Sequence, residues 1–286
     1  MSGGTLVRVH TATTPPRSGT TPVDRRVRRR RLGPGRRVPF AILLGPLLLL
    51  ALWTTGSATG IVDQRVLTAP WTVVETARGL LESGRLTESL QVSLTRAGLG
   101  LAIGVVVGAV LAVVAGLSRL GESVVDGPVQ VKRSIPNLAL IPLLILWFGI
   151  GEEMKVITIA LGVLVPVYIH THNGLRGIDQ RYAELAETLD LTRATFLRRV
   201  VLPGALPGFL LGLRFAVTSA LLTLVVIEQI NATSGIGHMI TLASSYGQTD
   251  VIVVGLVVYA VLGLLGDGAV RLLERRVLSW RRTLES

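Results

Sequence analysis

The sequence predicts an all-α polytopic membrane protein with six transmembrane helices. The chain of 286 residues is 49% hydrophobic and only 16% charged, whereas a soluble domain carries about a quarter charged residues. Its apolar residues come in long runs without charge, and about 18 or more such residues in succession indicate a membrane-spanning helix. The chain has no cysteine, which excludes a disulfide framework and thiolate metal sites.

The six spans are predicted from the points at which charged residues stop. In chain order they cover residues 38–53, 99–117, 135–151, 156–169, 207–227 and 251–266. The second span lies between Arg96 and Arg119, and the fifth contains a single charge, Arg214. The sixth is short, and flanking side chains can snorkel to close the gap.

The distribution of basic residues predicts the orientation of these spans. With both termini in the cytoplasm, most of the 29 Lys and Arg residues fall in the inside segments. Cytoplasmic segments of membrane proteins are rich in Lys and Arg, so we predict a multi-pass protein with both termini cytoplasmic. The net charge of +11 then reflects topology, and we expect the lipid bilayer and no nucleic acid as a partner.

The chain divides into a tail and a transmembrane domain. Residues 1–36 are rich in Thr, Pro, Gly and Arg and have almost nothing to bury, so we predict a disordered basic cytoplasmic tail. Residues 37–286 form the predicted transmembrane domain. The basic start and the apolar segment after it also resemble a signal peptide. The length of that segment and the five further spans favour a retained anchor.

Two spans carry residues with a specific packing consequence. Gly100, Gly104 and Gly108 place small residues on one face of the second span, which allows a neighbouring backbone to approach closely. Pro136 and Pro142 in the third span are expected to bend or interrupt it. Interrupted spans often border a translocation route, and a purely structural kink is the alternative interpretation.

The sequence contains no constellation typical of an enzyme. GxSxG and HExxH motifs are absent, and the spans hold no cluster of carboxylates. Lys132 and Lys155 are the only lysines, and neither lies in a phosphate-binding loop. We therefore expect no catalytic, cofactor-binding or metal-binding residues, and any ATP hydrolysis on a separate subunit.

A charged stretch, YAELAETLDLTRATFLRRVVLP, lies between the fourth and fifth predicted spans at residues 182–203. It resembles the cytoplasmic signature of bacterial ABC importer permeases, which reads E-A-A, three residues, G, nine residues, I, any residue, L-P. Here the corresponding residues are Glu184, Leu185, Ala186, Asp190, Val200, Leu202 and Pro203. Leu185 and Asp190 depart from the signature. Aspartate tolerates the left-handed turn that the signature glycine implies, and Thr192 is expected to cap the helix that follows.

Further segments resemble the nitrate, sulfonate and taurine branch of these permeases. They are RSIPNLALIPLLILWFGIG, LPGALPGFLLGLRFAV, IEQINATSGIGHMI and LLERRVLSW, so that the resemblance covers roughly residues 65–282. It implies a type I ABC importer permease fold in the bacterial cytoplasmic membrane. It also implies a permease homodimer with two copies of an ATP-binding subunit and an extracytoplasmic substrate-binding protein. The solute implied is a small anion such as an aliphatic sulfonate, taurine or nitrate.

The resemblance implies that the loop of residues 174–206 couples the permease to the ATP-binding subunit. The residues implied in this contact are Tyr182, Glu184, Leu185, Ala186, Leu189, Asp190, Leu202 and Pro203. Leu202-Pro203 and Leu206-Pro207 are expected to break the helix and to transmit motion into the fifth span. An ion-gradient-driven secondary transporter and a non-transporting membrane scaffold are the alternative functions.

Three residues are candidates for the translocation path: Pro136, Arg214 and Glu228. Ionisable residues inside a span are costly and commonly functional. Arg214 either offers positive charge to an anionic solute or snorkels to the inner headgroups. Glu228, near the outer end of the fifth span, is expected to shape the outer mouth or to contact the binding protein.

Overall fold

The computed structural model describes residues 41–61, 63 and 66–280. The predicted disordered tail, residues 1–36, lies outside this part of the chain. Every regular element of the described residues is helical, in agreement with the all-α prediction. The described residues fall into two compact units, residues 41–47 at the start of the first helix and the described residues from 48 onward.

The described residues form eleven α-helices. They are α1 (Ala41–Ala58), α2 (Pro70–Glu82), α3 (Arg85–Leu117), α4 (Arg119–Ser134), α5 (Ile141–Phe148), α6 (Glu152–Arg176), α7 (Gln180–Thr188), α8 (Arg193–Phe196), α9 (Leu202–Asn231), α10 (Ile236–Ser245) and α11 (Thr249–Val277). A 3-10 turn, Asn137–Leu140, precedes α5, and a π turn, Leu197–Val201, joins α8 to α9.

Helix α3 packs against α6 along the predicted glycine face. A Cβ atom added to Gly100 would lie 2.6 Å from Ile159 Cβ, and one added to Gly104 would lie 2.6 Å from the carbonyl oxygen of Ala160. Such distances are too short for real Cβ atoms, because the two backbones are in contact. The close approach predicted from glycines at every fourth position is confirmed.

Helix α6 is the centre of the bundle. In an apolar stretch of 18 residues, 56% of α6 is buried, whereas the corresponding share is 22% for α3 and 17% for α11. It lies between α3 and α9, and the α6 residues that meet the α3 glycines also form an apolar cluster with α9. The buried residues of this cluster are Ile159, Val163, Val167, Ala216, Ala220 and Leu224. Burial on two sides makes α6 the element against which the other helices are positioned.

The number of helices that can span a membrane differs from the six predicted. By length and composition, four described helical segments qualify: α3, α6, the continuous segment Arg193–Asn231 and α11. A fifth span results if α4 and the segment Asn137–Phe148, which meet at a bend of 95°, are counted together. The described part of α1 is apolar but shorter. Helix length therefore supports four or five spans.

The third span is built differently from the prediction. It was expected to cover residues 135–151, but its regular structure begins in α4 and is interrupted at Pro136, which precedes the 3-10 turn. The bent pair contacts α6 at successive positions from the end of α6 to its start. These contacts join Glu122 to Arg176, Asp126 to Tyr168, Asn137 to Thr158, and Ile141 and Leu144 to the cluster around Met154. The bent pair therefore extends along the full length of α6, and the predicted interruption at Pro136 is confirmed.

The predicted helix breaks at the two Leu-Pro pairs are wrong. Helical structure runs without interruption from Arg193 to Asn231, and both Pro203 and Pro207 lie within it. A proline lacks an N–H group and its ring clashes with the carbonyl four residues earlier. The π turn Leu197–Val201 widens the helix just before Pro203, and such turns accommodate a local mismatch within a helix.

The bundle has two distinct ends. The first, called here the α10 end, contains the start of α6, the end of α9 and helix α10. At this end α2, α10 and α11 share an apolar cluster that includes Val73, Met239 and Val254. The other, called here the α7 end, contains the end of α6 with α7 and α8. Candidate functional residues lie at both ends.

Candidate functional sites

The α10 end holds a network of buried charges centred on Arg96 of α3. Only 2% of Arg96 is exposed, although its guanidinium group carries a full charge. Nε donates to Glu152 Oε2 at 2.5 Å and Nη2 donates to Glu152 Oε1 at 2.7 Å. Nη1 donates to Glu228 Oε1 at 2.8 Å and to the carbonyl oxygen of Ser234 at 2.7 Å, and Nη2 also donates to Ser234 Oγ at 3.1 Å. All five guanidinium N–H groups therefore have acceptors.

Glu228 of α9 is the buried anion of this network. Its exposed fraction is 0%. Besides Arg96, its carboxylate accepts hydrogen bonds from Ser93 Oγ at 2.8 Å, the Gly237 backbone N–H at 2.9 Å and the Tyr259 hydroxyl at 3.1 Å. A buried charge is tolerated when it is paired and its remaining lone pairs are satisfied. Glu228 meets both conditions.

Glu152, the first residue of α6, is the second anion of the network. Its Oε1 also accepts a hydrogen bond from Lys155 Nζ at 2.8 Å. Lys155 is only 4% exposed, whereas 60% of the Glu152 side chain is exposed. The network thus contains two cations and two anions and is neutral overall.

The network holds the connection between α9 and α10. Gly235 has a φ of +107°, and a Cβ atom at this position would collide with the Glu228 carboxylate. Ser93 Oγ also accepts a hydrogen bond from the Ile236 backbone N–H at 2.9 Å. Because the backbone of this connection is bonded directly to charged side chains of α3 and α9, the network fixes its conformation.

A smaller polar cluster lies beside the break in the third span. Asn137 Nδ2 donates to the carbonyl oxygen of Thr158 at 3.0 Å and to Thr223 Oγ1 at 3.3 Å. Its Oδ1 accepts a hydrogen bond from Lys132 Nζ at 3.0 Å. These bonds join α4, α6 and α9 at the residue next to Pro136, where regular hydrogen bonding is interrupted.

Arg214 makes an ion pair between α9 and α11. Its Nε donates to Asp267 Oδ1 at 2.6 Å, and the Asp267 carboxylate also accepts from Arg271 Nε at 2.7 Å. The side chains of Arg214 and Asp267 are 42% and 33% exposed. The charge of Arg214 within the span is evident from the sequence, whereas its partner on α11 is not.

At the α7 end, α7 presents apolar side chains to its surroundings. Tyr182, Leu185 and Leu189 are 54%, 53% and 60% exposed. Their spacing of three and four residues places them on one face of the helix. Ala186, by contrast, is 7% exposed and faces the rest of the chain.

Asp190 adopts the left-handed conformation in the turn after α7, as the sequence predicts. Among the described residues, Asp190 is the one non-glycine residue with a positive φ, +49°. The Leu191 N–H donates to the Ala186 carbonyl at 2.9 Å, and the Asp190 N–H donates to the Glu187 carbonyl at 3.1 Å. This pair of bonds is the Schellman motif that ends many helices. The predicted left-handed turn is confirmed.

The predicted cap of the following helix is also present. Thr192 precedes α8, and its Oγ1 accepts a hydrogen bond from the Thr195 backbone N–H at 3.3 Å. The signature therefore forms a short helix, a left-handed turn and a capped second helix. That second helix continues through the π turn into α9, so the signature is joined to the bundle by continuous helical structure.

The structure separates the predicted site residues into three groups. Most of the signature residues lie in α7 and the turn after it, while Leu202 and Pro203 lie at the start of α9. Glu228 belongs to the α10 end, and no hydrogen bond among those of the described residues joins it to Arg214 or Pro136. Pro136 lies at the break in the third span.

The role of Arg96 was not predicted from the sequence, and neither was that of Glu152. The second span is predicted to begin after Arg96, but α3 begins at Arg85, eleven residues before Arg96 on the same helix. A signal was available. Ser93, Arg96 and Gly100 follow one another at spacings of three and four residues, so Arg96 lies on the same helical face as the glycines.

The described residues contain no group of three or more His, Asp or Glu side chains arranged to hold a metal ion. The charged residues of the two ends have other partners, because the carboxylates of Glu152, Glu228 and Asp267 are each bonded to arginine. These carboxylates are therefore held in ion pairs.

The described residues combine several apolar helices long enough to span a membrane, an interrupted span and a charged helical segment between α6 and α9. This arrangement is that of a polytopic membrane protein. The same fold occurs in a chain of the crystal structure of an amino acid ABC transporter with histidines. The TM-score is 0.58 with 21% sequence identity, covering 70% of this chain and 97% of that chain. This chain and that transporter chain therefore share a fold.

This chain belongs to the family described as binding-protein-dependent transport system inner membrane component, which matches residues 104–279. It is 42% identical over 243 residues to the putative aliphatic sulfonates transport permease protein SsuC of Bacillus subtilis (strain 168), covering 85% of this chain and 88% of that protein. It is 34% identical over 239 residues to the taurine transport system permease protein TauC of Escherichia coli (strain K12), covering 82% and 86%. The resemblance found in the sequence is confirmed, and the chain is a multi-pass transport permease of the membrane.

Proposed function

We propose that this chain is the transmembrane subunit of an ATP-driven importer for a small anion, with aliphatic sulfonates as the first candidates. The observation that carries the solute class is the similarity, over 85% of this chain, to a permease named for aliphatic sulfonates. The similarity to a taurine permease supports the same class, since taurine is itself a sulfonate. An extracytoplasmic binding protein delivers the solute and does most of the selecting.

The α7 end is the proposed docking site of a separate ATP-binding subunit. Tyr182, Leu185 and Leu189 form an exposed apolar edge on α7, and such an edge is suited to lie in a groove of a partner. The other signature residues, Glu184, Ala186, Asp190, Leu202 and Pro203, set the polar face, the turn and the entry into α9. Two permease copies, each with one ATP-binding subunit, complete the proposed assembly.

Continuity from α8 to α9 supports a mechanical role for this loop. The segment Arg193–Asn231 is one helical element of 39 residues, which at 1.5 Å per residue would measure about 58 Å if straight. Displacement of α8 by the ATP-binding subunit would therefore move α9 as a unit, including Glu228 at its far end. Rigid-body rocking of packed helices is a common form of such transitions.

The proposed orientation places the α7 end in the cytoplasm. Arg181, Arg193, Arg198 and Arg199 cluster there, as expected for cytoplasmic loops. The α10 end then faces outward, toward the binding protein. In this orientation Glu228 shapes the outer mouth by holding the α9–α10 connection, while Pro136 and Arg214 lie deeper along the proposed path.

The solute class is tested by uptake into proteoliposomes that contain the permease, its ATP-binding subunit and its binding protein. We expect accumulation of radiolabelled taurine or ethanesulfonate that requires internal ATP and the binding protein. Accumulation driven by an ion gradient without ATP would instead identify a secondary transporter. Retention of the complex without any uptake of sulfonates or nitrate would favour a scaffold.

The translocation path is tested in the same assay with Arg214→Leu and Glu228→Gln, at equal membrane levels of each variant. We expect both variants to lower the rate of uptake. Uptake equal to that of the wild-type complex would remove that residue from the proposed path.

A further inference from the structure

The two carboxylates of the α10 end differ in what holds them. Glu228 is fully buried and accepts hydrogen bonds from two hydroxyls, a backbone N–H and Arg96. Glu152 accepts hydrogen bonds only from the cations Arg96 and Lys155 among the recorded bonds of the described residues, and 60% of its side chain is exposed. Glu228 is therefore a buried part of the helix packing, whereas Glu152 contacts the two cations from the surface of the bundle.

Without the Glu152 carboxylate, the two cations beneath it would share a single anion. Arg96 and Lys155 are 2% and 4% exposed. Arg96 keeps its pair with Glu228, but Lys155 is paired with Glu152, and a buried cation that loses its anion is strongly destabilising. The position of the Glu152 carboxylate must therefore hold negative charge for as long as Lys155 stays buried. It is also open to the surface, because Glu152 itself is largely exposed.

The geometry of this position suits a sulfonate. Nε and Nη2 of Arg96 form a parallel fork at 2.5 and 2.7 Å from the two carboxylate oxygens, and Lys155 Nζ adds a third donor at 2.8 Å. Arginine recognises oxyanions through such bidentate pairs. A sulfonate has three equivalent oxygens and can therefore accept one hydrogen bond from each of the three donors.

We propose that Arg96 and Lys155 form an anion-binding site at the α10 end, which the Glu152 carboxylate occupies in this conformation and from which an incoming sulfonate displaces it. The identity of the solute as a sulfonate rests on the proposed function. Nη1 of Arg96 stays bonded to Glu228 and Ser234. The exchange of one anion for another at Nε, Nη2 and Lys155 Nζ thus leaves the rest of the network intact.

Chemical rescue of a Glu152→Ala variant tests the site. The variant permease is purified with its ATP-binding subunit, and its Tm is measured with methanesulfonate and with methanesulfonamide, a neutral molecule of nearly the same shape. We expect the variant to have a lower Tm than wild type and millimolar methanesulfonate to recover at least half of the loss. Methanesulfonamide should recover none, and wild type should gain little because Glu152 already fills the site.

Glu122→Ala is the matched control, because it removes one carboxylate from an arginine pair that is exposed. Arg176 and Glu122 are 63% and 36% exposed in their side chains, so no buried cation results and no rescue by methanesulfonate is expected. Adding Lys155→Met to Glu152→Ala should abolish the rescue. Should Glu152→Ala fail to fold, Glu152→Gln has the same charge change with less loss of volume and is measured in the same way.

The outcomes separate this site from the function on which it rests. No rescue in either Glu152 variant, or equal rescue of Glu122→Ala, overturns the site even where the wild-type complex accumulates sulfonates. Rescue that depends on Lys155, together with a wild-type complex that accumulates no sulfonate, keeps the anion site and overturns the proposed solute.

Discussion

Two interhelical ion pairs of this permease use the same chemistry in different surroundings. Arg96 and Glu228 join α3 to α9 at 2.8 Å, with 3% and 0% of their side chains exposed. Arg214 and Asp267 join α9 to α11 at 2.6 Å, with 42% and 33% exposed. The shorter pair is the more exposed one. Since exposed pairs contribute little and a broken buried pair leaves an uncompensated charge, burial rather than distance decides which pair holds the bundle together.

The two ends of the bundle extend this contrast. The α10 end buries Arg96, Lys155 and Glu228 and pairs each of them with donors or acceptors of the bundle. The α7 end does the reverse, because Tyr182 and Leu185 of α7 and Leu189, the residue after it, stay exposed. Buried charge that is fully paired fixes a conformation, whereas exposed apolar side chains are available to a partner. The four predictions below test this contrast, from the largest expected effect to the smallest.

Arg96→Leu should be the most damaging of these substitutions. It leaves the carboxylate of Glu228 buried without its cation, and removal of one partner of a buried pair costs about 3–5 kcal/mol. For a chain of this size we expect the Tm to fall by roughly 6–20 °C, measured by intrinsic tryptophan fluorescence in detergent. If the Tm fell no further than it does in Arg214→Leu, burial would not determine how much an ion pair contributes to stability.

Leu185→Asp should weaken binding of the ATP-binding subunit without unfolding the permease. The substitution places a charge in the centre of the exposed apolar edge, and truncation of a central interface residue costs about 2 kcal/mol or more. This corresponds to a roughly 30-fold rise in Kd, measured by titration of the labelled subunit onto the purified permease.

Gln180→Asp is the control for this variant. It adds the same charge at the first position of α7, on the opposite face of the helix, where an acidic residue suits the helix dipole. Its Kd should equal that of wild type. Equal losses in both variants would mean that added negative charge alone, and not the apolar edge, accounts for the effect.

Asp190→Val should open the turn between α7 and α8. A β-branched residue at the positive φ of Asp190 costs about 1–2 kcal/mol more than one suited to that conformation, while glycine adopts it freely. We expect trypsin to cleave faster at Arg193 in Asp190→Val than in wild type, and Asp190→Gly to be cleaved no faster than wild type. Similar cleavage of both variants would contradict the assigned turn.

Arg214→Leu should have the smallest effect on stability. Asp267 keeps its bond to Arg271 at 2.7 Å, and exposed ion pairs contribute about 0–1 kcal/mol. The Tm should therefore change by only a few degrees, in the same fluorescence assay as Arg96→Leu. A lower uptake rate with an unchanged Tm would assign Arg214 to the translocation path rather than to the scaffold.

Local features were predicted well from the sequence. The glycines of α3 lie at the closest approach to α6, Asp190 adopts the left-handed turn, and Thr192 caps α8. Each of these depends on residues within a few positions along the chain. Spacing and residue type are then sufficient, because the helix period and the φ preferences of single residues are local properties.

Predictions of where a helix ends or a span begins were less accurate, because the surrounding structure can compensate for a proline or pair a charge. Pro203 was expected to end a helix, but a π turn absorbs the proline and the helix continues into α9. The third span was placed between charges at residues 135–151, whereas α4, with charged residues of its own, contacts α6 and forms the first part of the crossing. Charge alone did not exclude α4 from the bundle, since Asp126 and Glu122 have partners on α6.

Residue order alone was enough to predict the membrane class, the helical faces, the signature loop and, through the resemblance, the family of this permease. Only the tertiary structure brought Arg96 to Glu152 and Glu228, which lie 56 and 132 residues away along the chain. No periodicity reports a contact across such separations. Whether a charged side chain in a span serves as a boundary, a framework ion pair or a ligand site depends on the partners that folding places against it.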